Sequence, residues 1–142
     1  MSFLAEWFGD MERKAMEQTM IALDHVGVPA RDAAASARFL SEILELAPAT
    51  PDGPEGEMYS LPIGESGALL FSPASSVAAQ HVAFRVDPVT FVGVVDRLRA
   101  KGMAFGNDPE DCGNGQTADA FGGGHGRVYF LDPNGHLFEV VA

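Results

Sequence analysis

Apolar and polar positions recur along the chain with two different periods, and the switches between them mark its elements. Near the start, Phe3, Leu4, Trp7, Phe8 and Met11 fall at helical spacing, with Glu6, Asp10 and Glu12 between them. This predicts an amphipathic helix over residues 1–20, weakened at Gly9 and suited to dock on the body of the protein or on a second subunit. A faint internal repeat follows. Its first copy opens on Leu23-Asp24-His25-Val26-Gly27-Val28, its second on Gln80-His81-Val82-Ala83-Phe84-Arg85-Val86. Each opening reads as a short strand containing a His-Val pair.

A helix of about 14 residues is expected after each of these strands. The first opens after Asp32 and places Phe39, Leu40, Ile43 and Leu44 on one face. The second has Asp87 as N-cap and Pro88 at its first position, turns Phe91, Val94, Val95 and Leu98 inward, and ends on Arg97, Arg99 and Lys101 before Gly102. Short strands come next: 46–50, 57–63 and 67–72 in the first copy, 103–106, 127–131 and 136–141 in the second. The last two are joined by Asp132-Pro133-Asn134-Gly135, a strong turn signal. The glycine-rich stretch Gly106–Gly126 reads as one long loop. The order is thus β-α-β-β-β twice, an α+β fold of two βαβββ modules. Residues 1–20 form a helical extension, 21–76 the first module and 77–142 the second.

Composition narrows the function. A chain of 142 residues can build one core without covalent staples. Cys112 is the only cysteine, which excludes an internal disulfide and a Cys-rich zinc site; its neighbours Glu110 and Asp111 disfavour a thiolate. Twenty acidic against nine basic residues give a net charge of −11. That surface repels phosphate backbones and anionic membranes and attracts cationic small molecules, so neither nucleic acid nor membrane is an expected partner. No apolar run reaches the roughly 18 residues of a spanning helix. The first 20 residues carry acids and no basic n-region, so no secretory leader is expected and the location is read as cytoplasmic.

Strand parity then selects chemistry. His25 shares a face with Leu23 and Gly27, His81 with Ala83 and Arg85, and Glu139 with Leu137 and Val141; the opposite faces carry the residues needed to cover helices. His25 and His81 hold equivalent places in the two copies. Related by a pseudo-twofold axis, both can point into one concavity with Glu139. Two imidazoles and a carboxylate suit a divalent metal with positions left open for substrate. Arg85 lies on the His81 face, where it meets an anionic substrate or pairs with a carboxylate. Tyr129, on the parity of Arg127 and Leu131, is a candidate proton donor. His125, within Gly122-Gly123-Gly124-His125-Gly126, is a candidate acid/base on a mobile loop. His136 has the parity of Phe138 and reads as structural.

The frame His25 … His81 … Tyr129-Phe130-Leu131-Asp132-Pro133-Asn134-Gly135-His136-Leu137-Phe138-Glu139 resembles the vicinal oxygen chelate superfamily, over about residues 20–142. That group includes glyoxalase I, extradiol dioxygenases, fosfomycin-resistance thiol transferases, methylmalonyl-CoA epimerase and bleomycin-resistance proteins. The resemblance implies a half-open mixed β-sheet cup with flanking helices and a homodimer. It makes His25, His81 and Glu139 the ligands of one divalent ion, Fe(II) or Mn(II) first, with Zn(II), Ni(II) or Co(II) as alternatives. Tyr129 and His125 then handle protons, and Arg85, Gly27 and Leu70 border the substrate. The glyoxalase I position for a fourth, carboxylate ligand falls near Leu70, which cannot coordinate; this argues against glyoxalase I and epimerase chemistry. Gly27 stands where fosfomycin enzymes have a hydroxyl residue, and the three residues after Glu139 lack their phosphonate-gripping bases. The implied activity is extradiol-dioxygenase-like or a related lyase or transferase reaction on a substrate chelated through adjacent oxygens. The alternative is a metal-free, bleomycin-resistance-like protein binding a cationic small molecule, which suits the charge and the apolar Leu69, Leu70 and Phe71.

Overall fold

The computed structural model describes residues 9–12, 21–120 and 125–142. Residues 9–12 are helical, and the remainder of the helix expected over 1–20 lies outside the described residues. The chain then runs twice through one motif. The first copy is β1 (Val26–Ala30), α1 (Ala33–Leu44), β2 (Thr50–Asp52), β3 (Met58–Ile63) and β4 (Gly67–Pro73). The second is β5 (His81–Arg85), α2 (Pro88–Ala100), β6 (Ala118–Ala120), β7 (His125–Leu131) and β8 (Leu137–Val141). Each makes a four-stranded sheet, ordered β1-β4-β3-β2 and β5-β8-β7-β6. In each the first and last strands of the motif are parallel and the other pairs antiparallel. The α+β fold of two βαβββ modules is the one the repeat predicted.

The helices begin and end for local reasons. Asp32 Oδ1 accepts from Ala35 N–H at 3.0 Å, and Asp87 Oδ1 from Thr90 N–H at 2.7 Å. The second bond also lowers the Asp87 pKa, by stabilising its carboxylate. Pro88 fills the first position of α2, where no N–H is missed. At the end of α1, Glu45 turns left-handed (φ 55°) and Leu46 N–H closes on Ser41 O at 2.8 Å. A third device crosses between the modules: Arg97 Nε of α2 donates to Ile43 O at 2.7 Å, capping an orphan carbonyl of α1.

The inward faces match the apolar periodicity. Phe91, Val94, Val95 and Leu98 are buried from α2, and Leu40, Ile43 and Leu44 from α1. Phe39 is half-buried but reaches Phe130 of the second module, ring centroids 6.2 Å apart. Val28, Leu61 and Phe71 from the first sheet join Val128, Phe130, Phe138 and Val140 from the second in one continuous core. Among the described residues no helix is long and apolar enough to cross a membrane.

Three strand boundaries differ from expectation. β1 starts at Val26 rather than Leu23, which is 70% exposed: pairing with β4 begins at Val26↔Leu69. β2 is Thr50–Asp52 rather than 46–50, so Pro51 and Asp52, beyond the expected strand, are paired to β3. In the second module residues 103–106 contribute only a bridge, Gly106↔Tyr129, and the hydrogen-bonded partner of β7 is β6, from inside the glycine-rich stretch. Gly106–Gly126 is therefore not one loop. Pairing with a neighbouring strand, a non-local term, decided these positions over local turn propensity.

The turn between β7 and β8 ties the modules together. Asp132 Oδ1 accepts from the N–H groups of Asn134 and His136, each at 2.9 Å. Asn134 Nδ2 donates to Ser36 Oγ of α1 at 2.8 Å, and its Oδ1 accepts from Arg31 N–H at 2.9 Å. His136 is fully buried. Its Nδ1 accepts from Gln80 N–H at 2.9 Å, so the proton is on Nε2, which donates to Pro29 O at 2.6 Å. We expect His136→Phe, which keeps the ring volume but strands Gln80 N–H and Pro29 O, to cost about 2–4 kcal/mol. The measurement is a urea transition with a lower midpoint and unchanged slope; an unchanged midpoint contradicts this role.

Candidate functional site

Residues paired across a sheet point to the same face, so register alone assembles a site. On the face of the second sheet turned away from its helix, Ala83 of β5, Glu139 of β8 and Tyr129 of β7 stand in one row. The row on one side is His81, Leu137 and Leu131; on the other it is Arg85, Val141 and Arg127. Phe84, Phe138, Phe130 and Val128 take the opposite face and the core.

Glu139 is the centre of this surface, and it is 92% removed from solvent, with 8% exposed. A carboxylate so placed needs partners. His81 Nε2 lies 2.9 Å from Oε1, and Arg127 Nε lies 3.0 Å from Oε2. Each oxygen thus has its own nitrogen partner. Tyr129, also buried, stands beside Glu139 and Arg127, and its ring is 6.3 Å from that of His81. Burial, then the Glu139 charge, raise the Tyr129 pKa above its ordinary 10.0, with Arg127 opposing. At neutral pH the phenol therefore keeps its proton.

The remaining candidates are distributed differently. His25 is just ahead of β1, bonded through Nδ1 to Asp24 Oδ2 at 2.7 Å. With Asp52, Ser66, Ala68 and Leu70 these two line a cavity of about 360 Å³ that includes neither His81 nor Glu139. Within one chain, therefore, the structure brings His81, Glu139 and Tyr129 together and leaves His25 apart. Among the described residues no group of three or more His, Cys, Asp or Glu side chains is placed to hold a metal ion. The repeat equivalence itself holds in the ladders. Gly27, two residues beyond His25, pairs with Leu70, as Ala83, two beyond His81, pairs with Glu139. Leu70 is the register counterpart of Glu139. Gly27 faces open space, since a Cβ there would meet nothing within 4 Å.

Two corrections concern single residues. His125 is the first residue of β7, its backbone paired with Ala120, rather than part of a loop; its side chain is outside the described residues. Arg127 belongs to the site, although only its parity with Tyr129 was legible. The available signal was that parity, read together with the antiparallel pairing of the two strands flanking the Asp132–Gly135 turn.

The raised Tyr129 pKa fixes a sign. The native state holds this proton more tightly than the unfolded chain, so its stabilising effect is complete below pH 10 and is lost as pH climbs through the native value. With two tyrosines in the chain, Tyr59→Phe leaves Tyr129 as the only phenol. Its near-ultraviolet titration is expected to have a midpoint above 10, moving down in a Glu139→Gln background. A midpoint at or below 10 contradicts the assigned environment.

Comparison with known proteins agrees with this architecture. The sequence profile of the Glyoxalase/Bleomycin resistance protein/Dioxygenase superfamily matches residues 22–140. Among solved structures the chain is similar to Oxidase ChaP-H1, with 33% sequence identity over 86% of this chain and 95% of that one, TM-score 0.77. It is similar to Oxidase ChaP-H2 at 31% identity, over 86% and 93%, TM-score 0.77. It shares the fold of a fosfomycin resistance protein, FosX, from Listeria monocytogenes complexed with Mn(II) and sulfate ion, at 19% identity over 85% and 89%, TM-score 0.62. No curated protein matches the chain in sequence. The profile spans both βαβββ modules, and with them the His81–Glu139 pair: the chain belongs to the Glyoxalase/Bleomycin resistance protein/Dioxygenase superfamily.

Proposed function

We propose that the chain is a metal-dependent enzyme of this superfamily, acting in the cytoplasm on a small molecule held through two adjacent oxygens. The observation that carries this reading is the buried Glu139 carboxylate with His81 Nε2 at 2.9 Å. A structural role explains it poorly. An apolar residue at 139 would cost less to bury, and the helix-covered core lies on the other face. Imidazole and carboxylate together suit Fe(II) or Mn(II), the favoured ions, and also Zn(II), Ni(II) or Co(II). The FosX structure with Mn(II) gives the same fold a divalent ion.

Two donors are too few for such an ion, and the third that fits by type is His25. Among the described residues β1 and β5 are edge strands of their sheets. A homodimer in which the first module of one copy faces the second module of the other would bring His25 to His81 and Glu139. Gly27 and Leu70 would then form the first module's side of the substrate cup, and Arg85 the second's. The ion, when bound, supplies Lewis-acid stabilisation of charge on the substrate oxygens. The chain's own contribution is positional. Arg127 holds the second oxygen of Glu139, Tyr129 donates its phenolic proton toward substrate, and His125 at the head of β7 is a second proton carrier. The two oxidases at 33% and 31% identity favour oxidative chemistry over lyase or transferase steps, and extradiol-type ring cleavage is the oxidative reaction that the His81, Glu139 and His25 donor set suits.

A second reading, metal-free binding of a cationic small molecule, has its own support. The net charge is −11, and a cavity of about 330 Å³ between the sheets is lined by Leu23, Val26, Ile63, Leu69, Val82 and Phe84. Metal content separates the two. Protein purified anaerobically without chelator is expected to hold about one equivalent of metal per chain. His81→Ala is expected to lose most of it, with an unchanged far-ultraviolet spectrum. Mixing His25→Ala chains with His81→Ala chains should restore roughly a quarter of the sites, because half of randomly paired dimers carry one intact site. No metal, and no stabilisation by any of the five ions, overturns the enzyme reading and favours the binder.

A further inference from the structure

We propose that Arg85 and Arg127 form an anion subsite next to the ligand pair, so that the substrate carries a carboxylate on the side remote from its chelating oxygens. This rests on the chelating role proposed for His81 and Glu139. Arg85 of β5, Val141 of β8 and Arg127 of β7 make one row on the face that carries Glu139 and Tyr129. The row lies one pleat repeat, about 7 Å, beyond that of Glu139. The two arginine backbones are separated by two strand spacings, about 9.5 Å, which lets both long side chains converge above Val141. A single aromatic ring spans the distance from row to row.

Charge gives the second argument. The chain as a whole is at −11 and repels anions, so only local cations can hold one. Arg97 and Lys101 are neutralised by Glu45 and Glu42 across the helices. Arg85 is exposed and makes no ion pair with a carboxylate among the described residues. Arg127 is 31% exposed at its side chain and its charge is compensated by Glu139, so it lines the subsite with its remaining N–H donors while Arg85 supplies the uncompensated charge that can close on a ligand. The planar guanidinium fork matches a carboxylate in two parallel hydrogen bonds. Sequence parity already put Arg85 on the His81 face. The register adds Arg127 to the same row and gives the row its distance from Glu139.

The test is calorimetric titration of dimeric protein loaded with Mn(II), using catechol, 3,4-dihydroxybenzoate and benzoate as probes, in wild type and Arg85→Gln. The wild type should bind 3,4-dihydroxybenzoate about tenfold or more tighter than catechol, the scale of one charge-assisted pair. Arg85→Gln should abolish that advantage and leave the melting temperature unchanged. Raised salt should narrow the advantage in wild type only. Equal affinity for the two catechols in wild type, with Arg85→Gln silent, overturns the subsite while leaving chelation standing. If catechol binds equally with and without Mn(II), the chelation reading fails instead. Benzoate binding to the metal-free protein then decides the subsite: Arg85-dependent binding supports it and Arg85-independent binding overturns it.

Discussion

The buried turn from Asp132 to His136 is the constraint on which the rest depends. Three buried polar side chains, Asp132, Asn134 and His136, that would each be costly to bury alone are closed into one network, with Ser36, Arg31, Pro29 and Gln80 as its outer partners. Because those partners lie at the β1–α1 junction and at the head of β5, the turn fixes two things at once. It holds one module against the other, and it pins the start of β8 beside β5. A slip of one residue there would move Glu139 to the helix side of the sheet and Phe138 into the cup. The His136 bond to Gln80 is thus connected, through His81 as the next residue, to the placement of the His81–Glu139 pair.

The two modules use the same frame for different ends. Their parallel ladders have the same offset from the opening histidine, yet one presents Leu70 where the other presents Glu139. A second buried carboxylate would need its own nitrogen partners, and the first module offers none in that row: Leu70 faces Gly27 and Ser60. The second module supplies His81 and Arg127 around its acid. The asymmetry makes one half of the cup a donor platform and leaves the other apolar and open, apart from His25 and the acids Asp24 and Asp52 at its mouth.

What the sequence made legible follows the range of the interactions involved. Both helices, their Asp caps and the Asp132–Gly135 turn depend on neighbours a few residues away, and they were readable. So was face parity, which has a fixed period of two, and with it the companionship of Tyr129 and Glu139. Strand limits depend on pairing with distant partners, which is why β6 was hidden inside a glycine-rich stretch and β1 lost Leu23. The meeting of His81 with Glu139 needs only the β5–β8 register. The position of His25 relative to them needs the packing of one sheet against another, and a repeat tells which residues are equivalent without telling which are near.

The state of the His81–Glu139 pair has a physical consequence for the metal-binding role proposed for it. Glu139 is not waiting as an unpaired charge, since Arg127 compensates one oxygen from within the same sheet and His81 the other. The two contacts are not equivalent in what they can give up. Arg127 is held by its strand with Nε 3.0 Å from Oε2, so it stays beside the carboxylate as an ion-pair partner. His81 is half exposed, at 52% of its side chain, so its imidazole has room to turn Nε2 away from Oε1, as the proposed metal role would require. Tyr129 adds a donor that stays protonated beside the acid. Binding an ion would therefore replace one hydrogen bond while the remaining arrangement stays in place, which is the condition for a preorganised site rather than one assembled on binding.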